Sequence, residues 1–178
     1  MERILIIGSG GAGKSTLSRE LANFLNIPVI HLDQLFWHPG WIETPREEWV
    51  KTIEAKLAEP KWIMDGNYGG TMDLRLAACD TAIFLNLSRW TCLRRVIGRS
   101  LRFRGKARPD MKEGCPETMD VEYLKFLHYV WTYPKEKAPA ILKKLDDLKS
   151  TKRIVVMQSP REVELFLEVV KASTARRT

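Results

Sequence analysis

The sequence predicts an α/β fold, in which helices cover both faces of a five-stranded parallel sheet. Short apolar segments that are typical of buried strands alternate along the chain with longer segments whose apolar residues recur at helical spacing. Because right-handed crossovers join parallel strands, this alternation places helices on both faces of one sheet. At 178 residues, with 44% hydrophobic and 29% charged residues, the chain has the size and composition of a single globular domain.

Five apolar segments are predicted to form the strands. The first, RILII, is a nearly continuous apolar run that begins at Arg3, as expected for a strand buried on both faces of a sheet. The predicted strands are residues 3–7, 28–33, 61–65, 81–87 and 153–157.

The predicted helices follow from apolar spacing and from capping signals. Two of them begin with a Thr or Ser cap, a proline at the first helical position and a glutamate that completes a capping box. The signal is Thr44, Pro45 and Glu47 in the first case and Ser159, Pro160 and Glu162 in the second. The predicted helices are residues 14–26, 45–59, 120–131 and 134–148, with two more that begin near residues 88 and 160.

The stretch between the fourth and fifth strands predicts an insert in the domain. Residues 105–118 are rich in Gly, Pro and charge, which indicates a loop, and two of the predicted helices follow it. We therefore expect a single domain over residues 1–178, with a core of about residues 1–98 and 150–178. The small helical and loop insert covers about residues 99–149.

The composition excludes several classes of protein. No apolar run approaches the roughly 18–20 residues of a membrane span, and the N-terminal apolar run is too short for a signal peptide. The scattered Cys79, Cys92 and Cys115 indicate neither a disulfide framework nor a zinc site. We therefore expect a cytoplasmic protein without a membrane partner, and its net charge of +7 indicates an anionic partner.

A run of glycines directly after the first strand predicts a phosphate-binding loop. Residues 8–16, GSGGAGKST, match the pattern G-x-x-x-x-G-K-[ST] of P-loop NTPases. In that arrangement backbone N–H groups wrap a phosphate chain, and a Cβ at the glycine positions would hold the phosphates off. The dipole of the following helix favours the same anion. The predicted nucleotide-binding residues of the loop are Gly8, Gly10, Gly11, Ala12, Gly13, Lys14, Ser15 and Thr16.

The end of this loop also predicts the cofactors. Lys14 is expected to reach the terminal phosphates of ATP, and the Ser15 hydroxyl is expected to ligate Mg²⁺.

Two further segments resemble nucleoside-monophosphate kinases, and adenylate kinases in particular. WIMDGNY, residues 62–68, resembles their strand-end Asp-Gly, which implies that Asp65 holds the water shell of Mg²⁺; a plain turn residue is the alternative. RVIGRS, residues 95–100, resembles the arginine segment that opens their lid. The resemblance implies that Arg95 lies on the adenine side of the nucleotide and that Arg99 reaches its phosphates.

By the same resemblance residues 99–117, here called the lid segment, form a mobile cover over the nucleotide. Between Arg94 and Lys112 the chain has eight Lys or Arg and a single acid, Asp110. A solvated surface is one interpretation, but six of the eight are arginines, whose forked guanidinium suits phosphate. The basic run continues through Arg102, Arg104 and Arg108, as suits a cover that neutralises phosphate and excludes water.

Over nearly its full length the chain resembles the DNA-topology-modulation (FlaR-like) proteins, a subgroup related to adenylate kinases. The stretches HLDQLFWHPGW, DGNY, RGKARPDMKEGCPE and WTYP carry this resemblance. It implies either a phosphotransferase or a nucleic-acid-associated regulator that uses ATP as a switch. The sequence has no helix-turn-helix pattern and no RRM-type aromatic signature, and its basic residues cluster where a lid belongs, which favours the enzyme.

The acceptor side departs from the nucleoside-monophosphate kinase pattern. Those enzymes have Asp-Gly-Phe-Pro-Arg where this chain has Asp-Gly-Asn-Tyr, and they carry an arginine after the second strand, where residues 33–37 contain no base. Asp33, predicted at the end of that strand, resembles the aspartate of shikimate- and gluconate-kinase-like proteins. A hydroxyl acceptor needs such a carboxylate for its proton, whereas a phosphate acceptor needs arginines. Because Arg75 and Arg46 remain candidates for a phosphate contact, the small-molecule acceptor is a nucleotide or a hydroxylated metabolite.

The sequence thus predicts a site at the carboxyl ends of the strands. Trp37, Trp41 and Tyr68 near it are expected to pack at its rim rather than to stack on a planar substrate. His31 is expected to be a half-buried residue with a hydrogen-bond partner rather than a catalyst. The predicted catalytic residues are Lys14, Asp33, Asp65, Arg95 and Arg99, and the predicted metal ligands are Ser15 and Asp65.

Overall fold

A computed structural model describes residues 1–106 and 111–175 of the chain. In chain order its elements are β1 (Arg3–Gly8), α1 (Lys14–Leu25), β2 (Val29–His31), α2 (Leu32–Phe36), β3 (Trp37–His38), β4 (Ile42–Glu43), α3 (Arg46–Leu57), β5 (Trp62–Asp65), α4 (Met72–Ala78), β6 (Thr81–Leu85), α5 (Arg89–Arg102), α6 (Val121–Glu136), α7 (Ala138–Asp147), β7 (Arg153–Met157) and α8 (Pro160–Ala175).

The central sheet has five parallel strands in the order β2-β5-β1-β6-β7, which confirms the predicted sheet. The chain builds the β2 and β5 side first and then crosses β1 to build the β6 and β7 side. Ligands of such sheets bind beyond the carboxyl ends of the strands, at the point where the strand order reverses. Here that point lies beside Gly8, at the end of β1, and Asp65, at the end of β5.

Helices cover both faces of the sheet, as predicted. Because side chains alternate along a strand, Ile4 and Ile6 of β1 face one core and Leu5 and Ile7 face the other. The first core includes α1, α5 and α8, and the second includes α3, α4 and α7; α6 contributes to both. These four apolar side chains are fully buried, and each contributes roughly 1.5–3 kcal/mol of hydrophobic stabilisation.

The second strand is shorter than predicted, and this changes the position of Asp33. β2 ends at His31, which pairs with Asp65, the last residue of β5. Since β5 is the partner of β2 in the ladder and ends there, β2 has no partner for further residues. The chain turns into the short helix α2, so Asp33 lies in the first turn of a helix and not in a strand.

The first predicted capping box is wrong and the second is confirmed. Helix α3 begins after Pro45, and the Thr44 hydroxyl donates to the carbonyl of Phe36 at 2.6 Å instead of accepting from the helix. At α8 the Ser159 hydroxyl accepts from the N–H of Glu162, and the Glu162 carboxylate accepts from the N–H of Gln158. The Thr44 hydroxyl therefore binds the carbonyl of the last residue of α2, eight positions earlier, and does not cap its own helix.

The insert contains the two predicted helices, α6 and α7, although α6 continues through Pro134 and ends at Glu136. Helix α5 reaches Arg102, so the first residues of the predicted lid segment are helical. The structure also forms a two-stranded hairpin of β3 and β4, here called the acceptor-side hairpin, which the sequence did not predict. Among the described residues, no helix is both long and apolar enough to cross a membrane.

Candidate functional site

The predicted phosphate-binding loop connects the end of β1 to the start of α1. It is closed by a hydrogen bond from the N–H of Ala12 to the carbonyl of Ser9. Gly11 and Gly13 have φ of 75° and 98°, a left-handed backbone that is costly for residues with a Cβ. The loop therefore has the strand, glycine turn and helix N-terminus that phosphate binding requires.

The glycines also allow the insert to pack against this loop. A Cβ on Gly11 would lie 2.3 Å from the carbonyl oxygen of Cys92 in α5, and a Cβ on Gly10 would lie 2.5 Å from the ring of Phe126 in α6. Phosphate binding is one reason for glycine at these positions. The structure adds a second reason, because α5 and α6 support the loop from the side.

Lys14 lies at the centre of the predicted catalytic residues. Its Nζ donates to the carbonyls of Gly8 and Ser9, each at 3.0 Å. Burial lowers the pKa of Lys14, the charges of Asp33 and Asp65 raise it, and the charge of Arg99 lowers it further. The charges of both carboxylates and of the Arg99 guanidinium therefore act on one ammonium group.

Asp65 is buried at the end of β5 and is held by two side chains. Its Oδ2 accepts from the Ser18 hydroxyl at 2.7 Å and lies 2.8 Å from Nδ1 of His31. The prediction that His31 is half-buried with a hydrogen-bond partner is confirmed. Sequence analysis missed Ser18; its position one turn after Ser15, on the same face of α1, was the available signal.

The residues around Asp65 fit a magnesium ion. Because Ser18 touches Asp65, the face of α1 that carries Ser15 is turned toward this carboxylate. A hydroxyl and a carboxylate are hard oxygen ligands of the kind that Mg²⁺ prefers. Within residues 1–106 and 111–175 there is no group of three His, Cys, Asp or Glu that could hold a metal alone. Phosphate oxygens and water would therefore have to complete the coordination.

Two of the arginines of α5, Arg95 and Arg99, lie near the phosphate-binding loop. Nη1 of Arg95 donates to the carbonyl of Ala12 in the loop at 3.2 Å. Nε of Arg99 lies 3.7 Å from the carboxylate of Glu117, which is buried and also accepts from the Ser100 hydroxyl at 2.8 Å. Arg95 thus contacts the phosphate-binding loop, while Arg99 lies between Lys14 and the lid segment.

On the acceptor side Asp33 accepts a hydrogen bond from the Tyr68 hydroxyl at 2.7 Å. Burial, the charge of Asp33 and this hydrogen bond raise the pKa of Tyr68, so the phenol is the donor. Tyr68 packs against Phe36 with ring centroids 4.7 Å apart, and Trp37 meets Trp41 edge to face at 5.4 Å. The aromatic residues contact one another, as predicted for packing at the rim.

The guanidinium of Arg75 is bound to backbone carbonyls, which makes Arg75 a poor candidate for the phosphate contact that the sequence suggested. Its side chain is fully buried and donates to the backbone carbonyls of residues 66, 67, 68 and 71. Burial lowers its pKa to about 10, so it remains charged at neutral pH. Arg46, the other candidate, is exposed in the first turn of α3.

The described part of the lid segment lies on the acceptor-side hairpin. The N–H of Gly40 donates to the carbonyl of Gly114 at 2.8 Å, and Nε1 of Trp41 donates to the carbonyl of Pro116 at 3.0 Å. Cys115 is buried there, with its thiol donating to the carbonyl of His38. Arg108, a member of the predicted basic run, lies outside the described residues. The lid segment therefore joins α5 to the acceptor side.

We expect the lid segment to be mobile without nucleotide and to close over it. A few hydrogen bonds hold it to the hairpin, whereas bound phosphates would add charged partners for Arg99. Hydrogen exchange of residues 111–117 should slow by about tenfold or more when a non-hydrolysable ATP analogue is added with Mg²⁺. Helix α8 is the internal control and should show no change. Equal exchange of the lid segment in both states would contradict a lid.

No protein-family model matches this chain, and no curated protein is similar to it at a significant level. Solved structures are similar in fold. A gluconokinase from Sinorhizobium meliloti 1021 is 16% identical, with 98% of this chain and 92% of that chain covered and a TM-score of 0.52. A shikimate kinase from Bacteroides thetaiotaomicron is 18% identical, with 96% of each chain covered and a TM-score of 0.52.

A deoxyadenosine kinase from M. mycoides with bound dATP is 17% identical, with 98% of this chain and 97% of that chain covered and a TM-score of 0.53. These likenesses concern the fold, and the FlaR-like assignment stays a prediction. The five-stranded sheet, the glycine loop after its central strand and the helices on both faces give this chain the fold of the P-loop kinases.

Proposed function

We propose that this chain is an ATP-dependent phosphotransferase that moves the γ-phosphoryl group of MgATP to a hydroxyl group of a small molecule. The observation that carries the proposal is the position of Lys14. It lies at the start of α1, where its Nζ donates to the carbonyls of Gly8 and Ser9. The charges of Asp33 on the acceptor side and of Asp65 on the metal side both act on this ammonium group. A phosphoryl group is transferred between such sites, with a cation beside the moving charge.

The donor nucleotide is assigned to the loop of residues 8–16. Its backbone N–H groups and the N-terminus of α1 favour the phosphates, and Lys14 exchanges two neutral carbonyl acceptors for charged phosphate oxygens. Arg95 and Arg99 extend this positive surface toward the insert. Mg²⁺, when held by Ser15 and Asp65, supplies positive charge to the phosphate oxygens. The residues thus stabilise charge that spreads over the phosphoryl group in the transition state.

The acceptor is assigned to Asp33. Its carboxylate is oriented by the Tyr68 hydroxyl, and the described residues beside it supply aromatic rings rather than free arginines. The guanidinium of Arg75 donates to backbone carbonyls and is therefore not available to bind the phosphate of an acceptor. A carboxylate can take the proton of an attacking hydroxyl, but it repels a second phosphate. The arrangement therefore favours a hydroxylated metabolite over a nucleoside monophosphate.

A screen of ATP consumption tests this assignment. Polyhydroxylated acids, sugars and nucleosides form one set of acceptors, and nucleoside monophosphates form the other. We expect at least one member of the hydroxyl set to raise ATP consumption by about tenfold or more over the rate with water, and the monophosphates to leave it unchanged. Stimulation by monophosphates alone would reject the acceptor class. If neither set stimulates a protein that binds MgATP, the regulatory interpretation is the better one.

A further inference from the structure

The turn of residues 66–68, here called the central turn, lies between the two halves of the site. The side chain of Asn67 accepts from the N–H of Gly8, the first residue of the phosphate-binding loop, at 3.1 Å. The next side chain, Tyr68, donates to Asp33 on the acceptor side at 2.7 Å. Consecutive residues of one turn therefore hold the donor side and the acceptor side.

Arg75, in helix α4, binds the backbone of this turn. Its Nη1 donates to the carbonyl of Gly66 at 2.9 Å, and its Nη2 donates to the carbonyls of Asn67 and Tyr68 at 2.6 and 2.7 Å. Its Nε donates to the carbonyl of Thr71 at 3.3 Å. One planar guanidinium thus fixes three successive peptide groups, which a lysine ammonium lacks the geometry to do.

The burial of Arg75 is costly, which indicates a specific requirement for it. The side chain is fully buried, and no carboxylate in the described part of the chain lies within salt-bridge distance of it. A buried charge without a counter-ion is unfavourable unless hydrogen bonds satisfy it, and here carbonyl dipoles alone do so. The turn they form is itself unusual, since Tyr68 has a φ of 26°. The hydrogen bonds of the guanidinium offset the strain of this backbone conformation.

We propose that Arg75 is a positioning residue, which holds the central turn rigid so that Asn67 and Tyr68 align the phosphate-binding loop with Asp33. Arg75 acts through these neighbours and touches neither substrate. The inference rests on the proposed function, because alignment matters only if a phosphoryl group passes between the two sides. One buried residue would then control the distance between the phosphate donor and the acceptor, and the rate of phosphoryl transfer depends strongly on that distance.

Hydrogen exchange of the Arg75→Lys variant tests the proposal without any activity assay. The lysine keeps the charge and loses the three-carbonyl fork. We expect exchange to rise by about tenfold or more both at Gly8 and at the N–H groups of α2, which carries Asp33. The matched control is Leu76→Ala. Leu76 follows Arg75 in α4 and is buried in the core, so this variant destabilises the protein but keeps the hydrogen bonds of Arg75 to the turn. The control should leave both regions within about twofold of wild type.

Affinity for a non-hydrolysable ATP analogue, measured with Mg²⁺ by calorimetry, gives the second readout. We expect Arg75→Lys to weaken it by about tenfold and Leu76→Ala to leave it unchanged. Unchanged exchange in a folded Arg75→Lys protein, or an equal rise in Leu76→Ala, would overturn the proposal. A wild-type protein that binds the analogue but phosphorylates no acceptor would refute the proposed function, while the exchange result would still decide the role of Arg75.

Two milder variants decide the question if Arg75→Lys does not fold. Asn67→Ser removes the amide that binds Gly8 and the hydroxyls of Tyr129 and Tyr133 in α6, all on the donor side. Tyr68→Phe removes the link to Asp33, and both variants keep Arg75. With the turn still held, each should raise exchange only on the side that it contacted. The proposal would be contradicted if either variant raised hydrogen exchange on both sides. It would also be contradicted if neither variant raised hydrogen exchange at all.

Discussion

Replacement of Lys14 by alanine is expected to reduce turnover by roughly 10²–10³-fold or more, the effect of removing one preorganised charge from a transition state. The charges of Asp33 and Asp65 both act on this ammonium group, so we expect its loss to remove positive charge from the point where the phosphoryl group moves. The fold should persist, because within the described residues the Lys14 side chain donates only to the carbonyls of Gly8 and Ser9 in its own loop. Circular dichroism and steady-state kinetics measure the two effects.

The matched control for this variant is Lys149→Ala. Lys149 is exposed and forms a surface ion pair with Asp146, so its removal should leave both nucleotide affinity and turnover unchanged. A folded Lys14→Ala protein that keeps wild-type affinity for MgATP and wild-type turnover would reject the loop as the nucleotide site.

Asp33→Asn is expected to lower kcat by roughly 10²–10⁴-fold, the usual contribution of a general base. The amide removes the basic oxygen but keeps an acceptor for the Tyr68 hydroxyl, so the shape of the acceptor side is preserved. Nucleotide affinity should barely change, since the phosphate-binding loop is intact. Single-turnover kinetics with the acceptor found in the screen separates the chemical step from binding.

Tyr68→Phe provides the comparison for this prediction. It keeps the Asp33 carboxylate and removes only the hydrogen bond that orients it, so its effect on kcat should be smaller than that of Asp33→Asn. If Asp33→Asn instead leaves kcat near that of the wild type, Asp33 takes no proton. The acceptor would then be a group that is already ionised, such as a phosphate.

The sequence predicted the features whose causes are local. The apolar run of β1, the glycines after it and the helix that follows lie next to one another in the chain, and their residue types restrict the backbone directly. The same holds for Ser159 and Glu162 at α8, where the capping partners are three residues apart.

Predictions that depended on a distant partner were less accurate. β2 ends early because its ladder partner β5 ends, and the Thr44 hydroxyl bonds to Phe36 rather than to its own helix. The partners of Asp65 were missed for the same reason. Ser18 lies 47 positions away from Asp65 and His31 lies 34 away, so no local pattern indicates that they meet at one carboxylate.

The sequence by itself determined that the chain forms a parallel α/β sheet with a glycine-rich loop after its first strand, because backbone sterics and burial act on neighbouring residues. Only the tertiary structure decided what the charged residues do. It brought Ser18 and His31 to the carboxylate of Asp65, and it buried Arg75 against the central turn, where backbone carbonyls accept its hydrogen bonds. The partners of a charged group come from chain segments that meet only when the sheet is assembled, and those partners determine its role.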